Sequence, residues 1–181
     1  MTHTDRVLDR DMDTPQVFEE KHVLPEAGGF MLGLTRIAFG FIFLWAFLDK
    51  LFGLGRATPS ERAWLNGGSP TTGYLSGVEG PLAGLYNSWA GIGALDWLFM
   101  IGLLGIGVTL ITGMGARVGA LAGVLMYLFM YGASLPVMTN PFLDDHITGA
   151  LILLVIAAIP ASWEYLGLGK MWKTIAPNYL R

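Results

Sequence analysis

Four long apolar runs dominate the hydrophobic pattern of this 181-residue chain. They cover residues Phe30 to Leu48, Trp97 to Ala116, Val118 to Leu143 and Ile147 to Trp163, and only the first contains a charge, Arg36. About 20 apolar residues in a helix cross the roughly 30 Å hydrocarbon core of a bilayer. The runs show no period of two, which favours helices over strands. The pattern therefore predicts an all-α fold, a four-helix transmembrane bundle.

Polar stretches flank and separate these runs. Residues 1–28 carry many charges and are predicted to be a polar cytoplasmic tail, residues 29–169 the membrane domain, and residues 170–181 a short basic tail. Residues 53–91 link the first two helices and are too numerous for a simple connector. Lys and Arg lie mainly on the side that holds both termini, so the positive-inside rule predicts cytoplasmic termini and an extracytoplasmic loop. We expect a multi-pass protein of the plasma membrane.

The long loop contains local structure signals of its own. Residues 58–61 have the spacing of a capping box, which predicts a short helix over residues 59–65. Apolar residues recur at helical spacing from Leu82 to Trp89, which predicts an amphipathic helix across the outer mouth of the bundle. The hydroxyl-rich residues 67–73 between them form either an anion-binding turn or a plain linker.

Composition narrows the class of protein further. Hydrophobic residues make up 53% of the chain and charged residues 14%, with a mean hydropathy of +0.53, which is too apolar for a soluble domain of this size. A net charge of −3 argues against a nucleic-acid partner. The absence of cysteine excludes thiolate zinc and iron–sulfur sites, and His146 is the only histidine in the apolar region, so no haem or metal site is expected. The expected partner is the lipid bilayer, and self-association stays open.

Ionisable residues at membrane depth are costly and mark either function or a structural pair. At the inner end, Arg36 and Glu164 are predicted to form an ion pair. The outer end collects a larger set of candidate polar residues, namely Asp49, Lys50, Asp96, Tyr127, Tyr131, Ser134, Asp145 and His146. Asp49 and Lys50 either simply end the first helix or take part in chemistry, and Tyr127 and Tyr131 either anchor at the interface or form a hydrogen-bonding stripe.

The start of the fourth run is the most polar segment of the apolar region. Asn140 is a natural cap before Pro141 at the first helical position. On that helix, His146 falls on the small-residue face and is expected to look into the bundle, with Asp144 toward the headgroups and Asp145 between them. Three interpretations of His146 remain open: a packing histidine, a group that transfers protons or binds a quinone head, and a metal ligand.

The chain resembles the DoxX/DoxD family of membrane proteins. The stretches that carry the resemblance are RIAFG at residues 36–40, FLWAFLDKLFG at 43–53, WLNGGSPT at 64–71, WLFM at 97–100 and NPFLDDH at 140–146. The likeness extends over residues 33–172. It implies a four-helix membrane protein similar to the large subunit of thiosulfate:quinone oxidoreductase, which oxidises thiosulfate to tetrathionate, reduces a membrane quinone and works with a small partner subunit.

The resemblance suggests roles for the candidate residues. His146 and Asp145, with Asp49 and Lys50, are the candidate catalytic groups, and a diffusing quinone is the expected electron acceptor. Thiosulfate dianions would need cations, here Lys50, Arg56 and Arg62, while Tyr127, Tyr131, Ser134 and Asp96 complete the candidate binding set. Two other hypotheses remain: a non-catalytic membrane scaffold for a redox or stress-response complex, and a small carrier.

Overall fold

The computed structural model describes residues 26–138, 140 and 142–177. These residues form helices and no strand, which confirms the predicted all-α fold for this part of the chain. Two 3₁₀ turns lie at Ser60–Arg62 and Trp64–Asn66. The α-helices are α1 (Glu26–Phe52), α2 (Thr72–Ser76), α3 (Ala83–Ser88), α4 (Gly93–Thr112), α5 (Ala116–Ala133), α6 (Asp145–Ala158), α7 (Ala161–Glu164) and α8 (Gly169–Ile175).

In the part of the chain that the structure describes, three helices are long and apolar enough to cross a membrane: α1 with 27 residues, α4 with 20 and α5 with 18. Large apolar side chains cover much of their outer surface, among them Phe41, Leu98 and Leu125. A surface of this kind is stable in hydrocarbon and unfavourable in water. The chain is therefore a membrane protein, as its composition predicts.

The fourth apolar run differs from its predicted form. Residues 147–163 do not form one continuous helix, because α6 ends at Ala158 and α7 begins after Pro160. Ile159 is extended (φ −107°, ψ 107°), as expected for a residue before proline, and Pro160 has no N–H to continue the hydrogen-bond ladder. The 14 residues of α6 span about 21 Å at 1.5 Å per residue.

Small residues let the long helices approach one another closely. A Cβ on Gly107 of α4 would lie 2.9 Å from the backbone nitrogen of Leu44 in α1, and one on Gly123 of α5 would lie 2.7 Å from Leu153 of α6. The missing side chains of these glycines thus allow the helix backbones to approach closely. Between these contacts lies the core, which is formed by large buried side chains including Phe43, Met100, Leu103, Ile106, Leu110, Leu153 and Ile156.

The long loop folds against the outer end of the bundle. Residues 60–66 form two successive 3₁₀ turns instead of the predicted short helix. The predicted amphipathic helix is present as the short helix α3, but it packs on the protein: Tyr86 is buried and its hydroxyl donates a 2.6 Å hydrogen bond to the carbonyl of Phe129 in α5. Trp89 stacks on the Phe129 ring with centroids 5.7 Å apart. This part of the loop therefore packs on the C-terminal half of α5.

The inner end is organised around Arg36, and the predicted ion pair with Glu164 is wrong. The Arg36 side chain is fully buried, and its five N–H groups point at carbonyl oxygens in the last turns of α4 and α7 or just after α7. The acceptors are Ser162 (2.8 Å), Leu110, Ile111 (3.0 Å), Tyr165 (3.3 Å) and Leu166 (3.0 Å). Glu164 instead pairs with Lys173 of α8. The last carbonyls of a helix lack intrahelical donors, so a guanidinium satisfies several at once.

The predicted tails are only partly within the described residues. Helix α1 begins at Glu26, so the last three residues of the predicted tail 1–28 belong to the first helix. Residues 1–25 and 178–181 lie outside the described part of the chain. Helix α8 crosses the predicted boundary at residue 170.

Candidate functional site

The polar residues that the sequence groups at the outer end form three separate clusters. In the first, Asp49 is 2% exposed, and both of its carboxylate oxygens accept backbone hydrogen bonds. Oδ1 accepts from the N–H of Arg56 (3.2 Å) and Oδ2 from that of Ala57 (3.0 Å). Asp49 thus holds the chain that leaves α1, which makes its observed role structural.

The second cluster contains His146 and corrects the expected roles of the two aspartates. Asp144 is the N-cap of α6: its Oδ1 accepts from the N–H of Ile147 (3.0 Å), and its Oδ2 lies 2.6 Å from Nδ1 of His146. Asp145 is exposed. The partner of His146 is therefore Asp144, which was expected to face the headgroups. Asn140 does not cap α6; its side chain accepts from the N–H groups of Phe142 and Leu143.

The environment of Asp144 alters its acidity. Burial raises the pKa of the carboxyl, but the hydrogen bonds from His146 and the N–H of Ile147 outweigh this effect, so the pKa lies below its ordinary value. The ring of Tyr127 lies edge-on to His146 with centroids 6.1 Å apart, and it also contacts Phe43 at 5.3 Å. The imidazole of His146 thus contacts the Asp144 carboxylate and the Tyr127 ring.

The third cluster surrounds Asp96 at the start of α4. Its Oδ1 accepts from the hydroxyl of Ser69 (2.8 Å) and from both the N–H (3.0 Å) and the hydroxyl (2.6 Å) of Thr71. The Ser69 hydroxyl also bonds that of Thr72 at 2.6 Å. Of the two interpretations of the hydroxyl-rich stretch, the structure shows an ordered turn whose donors bind a carboxylate of the chain itself.

The remaining predicted residues do not join these clusters. The Tyr131 hydroxyl donates to the carbonyl of Phe142 (3.2 Å), and that of Ser134 donates to the carbonyl of Met130 in its own helix (3.0 Å). The side chains of Arg56 and Arg62 are exposed. Within the described ranges, no hydrogen bond or ion pair joins His146 to Asp49, Lys50 or Asp96.

A cavity of about 720 Å³ lies in the outer half of the described structure. Residues of α4 and α5 form its walls, and α2 and the segment from Trp89 to Ile92 close its outer end. Its lining runs along α4 from Leu95 to Ile106, a distance of about 16 Å at 1.5 Å per residue. A cavity of this size accommodates a typical small-molecule ligand.

Lys50 is the one residue with a charged side chain among those that line this cavity. Its Nζ lies 5.8 Å from the centroid of the Phe99 ring, which also belongs to the lining. Ammonium groups are attracted to the faces of aromatic rings at this distance. The rest of the lining is aliphatic or aromatic apart from the polar atoms of Thr71, Tyr74 and Trp89.

Tyr74 provides a second polar group on the cavity wall. Its hydroxyl lies 3.5 Å from the carbonyl of Met130, a long contact that leaves the O–H available for a shorter bond. Burial raises the pKa of Tyr74, and the nearby Tyr86 adds to the effect, so the phenol keeps its proton at neutral pH. Tyr74 is thus a neutral hydrogen-bond donor.

Sequence reasoning identified Lys50 but missed the rest of this cavity. The predicted binding residues Tyr127, Tyr131 and Ser134 lie on the face of α5 toward His146 and the α6 connection, whereas Met126, Phe129 and Met130 line the cavity. A sequence signal for the second face existed, because Phe129 and Met130 follow Leu125 and Met126 at helical spacing. Tyr74 had no such signal, since its position depends on how the loop folds.

Two further observations complete the description of the site. Among the residues that the structure describes, no group of three or more His, Asp or Glu side chains is arranged to hold a metal ion. Comparison with protein-family models, curated proteins and solved structures gives no match to this chain.

Proposed function

We propose that this chain is a membrane protein that binds a lipid-soluble quinone in the cavity beside Lys50. The cavity carries the proposal, because a volume of about 720 Å³ with an apolar lining and a few polar groups at one end suits an amphipathic molecule. The ring of a quinone would lie among Phe99, Trp89 and Phe129, and its isoprenoid chain would follow the apolar walls of α4 and α5.

Hydrogen-bond chemistry supports a quinone head at this position. The two carbonyl oxygens of a quinone accept hydrogen bonds, and the cavity wall offers donors in the Lys50 ammonium and the Tyr74 hydroxyl. The rim also suits access from the bilayer, since Leu98 and Leu125 are 68% and 69% exposed on the apolar outer surface. A ligand dissolved in lipid would reach the cavity without crossing water.

The resemblance to the DoxX/DoxD family extends the proposal to a reaction and a topology. Two thiosulfate dianions would each give up one electron and join through a new S–S bond as tetrathionate, while the quinone takes up two electrons and two protons. In this proposal α6 and α7 complete a fourth crossing of the plasma membrane, both termini are cytoplasmic, and a small partner subunit assists. The exposed Arg56 and Arg62 would attract thiosulfate, and the His146–Asp144 pair would supply protons.

Quinone binding is tested first, with the purified protein in lipid nanodiscs. A short-chain quinone is expected to quench the fluorescence of the tryptophans, one of which, Trp89, lines the cavity. Ala122→Phe fills the cavity and should lower the quinone affinity derived from quenching about tenfold or more. Leu128→Phe, on an exposed face of the same helix outside the lining, should leave that affinity unchanged. Equal quenching in both variants would contradict binding in this cavity.

The redox step is tested separately. Thiosulfate-dependent quinone reduction is measured with and without co-expressed candidate small subunits, in the native protein and in His146→Ala. Quinone binding without any reduction would remove the thiosulfate reaction from the proposal and leave the binding site. Activity that survives His146→Ala would remove His146 from the proton path.

A second candidate function, a non-catalytic scaffold, has an observation in its favour. The carboxylates of Asp49, Asp96 and Asp144 all accept hydrogen bonds from within the chain, as expected if they maintain structure. A scaffold should show no quinone binding and should retain a partner protein during purification. Loss of that partner in Arg56→Ala or Arg62→Ala, which are exposed, would favour it.

A further inference from the structure

We propose that the cavity binds its quinone with an anionic head, so that a ring with an ionised hydroxyl is preferred to a neutral ring of the same size. This inference rests on the proposed quinone site and names the chemical class of the ligand. It is carried by Lys50, whose ammonium forms no ion pair with a carboxylate in the part of the chain that the structure describes, although the charge of the adjacent Asp49 acts on it at longer range.

The carboxylate of the neighbouring Asp49 already accepts hydrogen bonds from other groups. Both oxygens of Asp49, the residue before Lys50, accept N–H groups of the loop at 3.2 and 3.0 Å. The ion pairs within the described ranges are His146 with Asp144 and Lys173 with Glu164, and neither contains Lys50. The contact of the Lys50 ammonium is the Phe99 ring at 5.8 Å, which attracts the cation weakly and does not neutralise it.

The cavity around this ammonium is poor in compensating charge. No Asp or Glu belongs to the lining, and Asp96, which holds the lining residue Thr71, uses its Oδ1 for three hydrogen bonds from Ser69 and Thr71. Attraction between opposite charges is stronger in apolar surroundings than in water. An oxyanion that enters this cavity therefore gains more from Lys50 than a neutral carbonyl oxygen does.

Tyr74 strengthens the same preference. As a neutral phenol with a long 3.5 Å contact to the Met130 carbonyl, it offers a second donor on the cavity wall. Hydrogen bonds to a charged acceptor are shorter and stronger than those to a neutral one. The wall thus offers one charged and one neutral donor, the two kinds from which an oxyanion and a carbonyl of one ring would accept.

The test uses two probes of nearly equal size: a 3-alkyl-2-hydroxy-1,4-naphthoquinone, which ionises near neutral pH, and its 2-methyl ether, which cannot. Binding to the full-length protein in nanodiscs of zwitterionic lipid is measured by tryptophan quenching at pH 8. The native protein should bind the hydroxyquinone about tenfold or more tightly than the ether. The preference should disappear when the pH falls below the pKa of the probe.

Variants then assign the preference to the ammonium. Lys50→Met should bring the two affinities to within about twofold while leaving that of the ether nearly unchanged. Lys50→Arg should retain the preference, and Lys170→Met, which removes an exposed lysine of α8, should behave as native. If Lys50→Met does not fold, the pH dependence of the native protein and Lys50→Arg decide the question.

The outcomes separate the two proposals. If neither probe binds, the quinone site itself is wrong. If both bind with equal affinity at pH 8, quinone binding stands and the anionic preference is overturned. A preference that persists unchanged in Lys50→Met would likewise overturn the role of Lys50.

Discussion

Helix α1 contains a buried cation in its first half, Arg36, and a partly buried cation near its C-terminal end, Lys50, and the two cations have opposite surroundings. Arg36 at the inner end is fully buried and donates all five of its N–H groups to carbonyl oxygens. Lys50 at the outer end lines a cavity, contacts an aromatic ring and forms no ion pair within the described residues. One cation is used to join the inner ends of the helices, and the other is available to a ligand.

Side-chain chemistry explains why each residue type suits its place. The planar guanidinium holds five donors in fixed directions, which allows it to satisfy the C-terminal carbonyls of α4 together with those after α7. The negative end of a helix dipole also favours a cation there. Lysine has a compact charge on a flexible stem, which can adjust to a ligand that arrives and leaves.

The largest effect on stability should come from Arg36→Met. It leaves several buried carbonyl oxygens without donors, so we expect the free energy of unfolding to fall by about 3–5 kcal/mol. Unfolding of the purified protein in mixed micelles measures this change. Lys50→Met should leave stability almost unaltered, and Arg56→Met is the control for loss of an exposed cation. A larger loss in Lys50→Met than in Arg36→Met would reverse the comparison.

Asp49→Asn should have the next largest effect, at the outer end. The carboxylate holds two loop N–H groups, and an amide offers only one good acceptor, so a loss of about 1–3 kcal/mol is expected. Hydrogen exchange at the amides of Arg56 and Ala57 should accelerate, while exchange in α5 should not. Glu61→Gln, which neutralises an exposed acid of the same loop, serves as control. Unaltered protection of both amides would argue against this role.

A smaller effect, visible in its pH dependence, is expected from Asp144→Asn. The pKa of Asp144 is lower in the folded protein than its ordinary value of about 3.9, so its contribution is fully present above that pH and is lost as the pH falls through the folded pKa. Melting temperatures between pH 7 and pH 3 should decline less steeply in Asp144→Asn than in the native protein. Asp145→Asn, at the exposed neighbour, should keep the native pH profile.

The smallest effect is expected from Glu164→Gln. The side chains of Glu164 and Lys173 are 26% and 39% exposed, and ion pairs in contact with solvent contribute less than about 1 kcal/mol. The unfolding measurement used for Arg36→Met should show a change near its detection limit. A loss as large as that of Arg36→Met would mean that Glu164 supports the buried guanidinium after all.

Helix type and approximate extent were predictable from the chain, because about 20 consecutive apolar residues allow few alternatives. The turn at Gly113 was also readable: its φ of +80° suits glycine, and it directly follows the last residue of α4. The sequence also contains the signal for the break at Pro160, because a proline lacks the N–H that would continue the helix, but the long apolar run around it favours one continuous helix.

The polar contacts were harder to predict, for reasons of geometry. The sequence predicts that the helix starts at Pro141, with Asn140 as its cap, whereas α6 starts at Asp145 and is capped by Asp144. This difference exchanges the expected roles of Asp144 and Asp145. Arg36 and Glu164 were paired by charge and depth, whereas backbone carbonyls, which no sequence pattern marks, provide the acceptors. The cavity depends on the path of residues 67–92, and local signals alone do not specify how a loop packs on helices.

Leu98 and Leu125 both line the cavity and are exposed on the apolar surface. In the proposed quinone site, an incoming molecule would therefore exchange with the hydrocarbon and not with the aqueous buffer. Site occupancy is then governed by the mole fraction of ligand in the membrane. Diluting a sample with buffer at a fixed lipid-to-ligand ratio should leave occupancy unchanged, whereas adding empty vesicles should lower it.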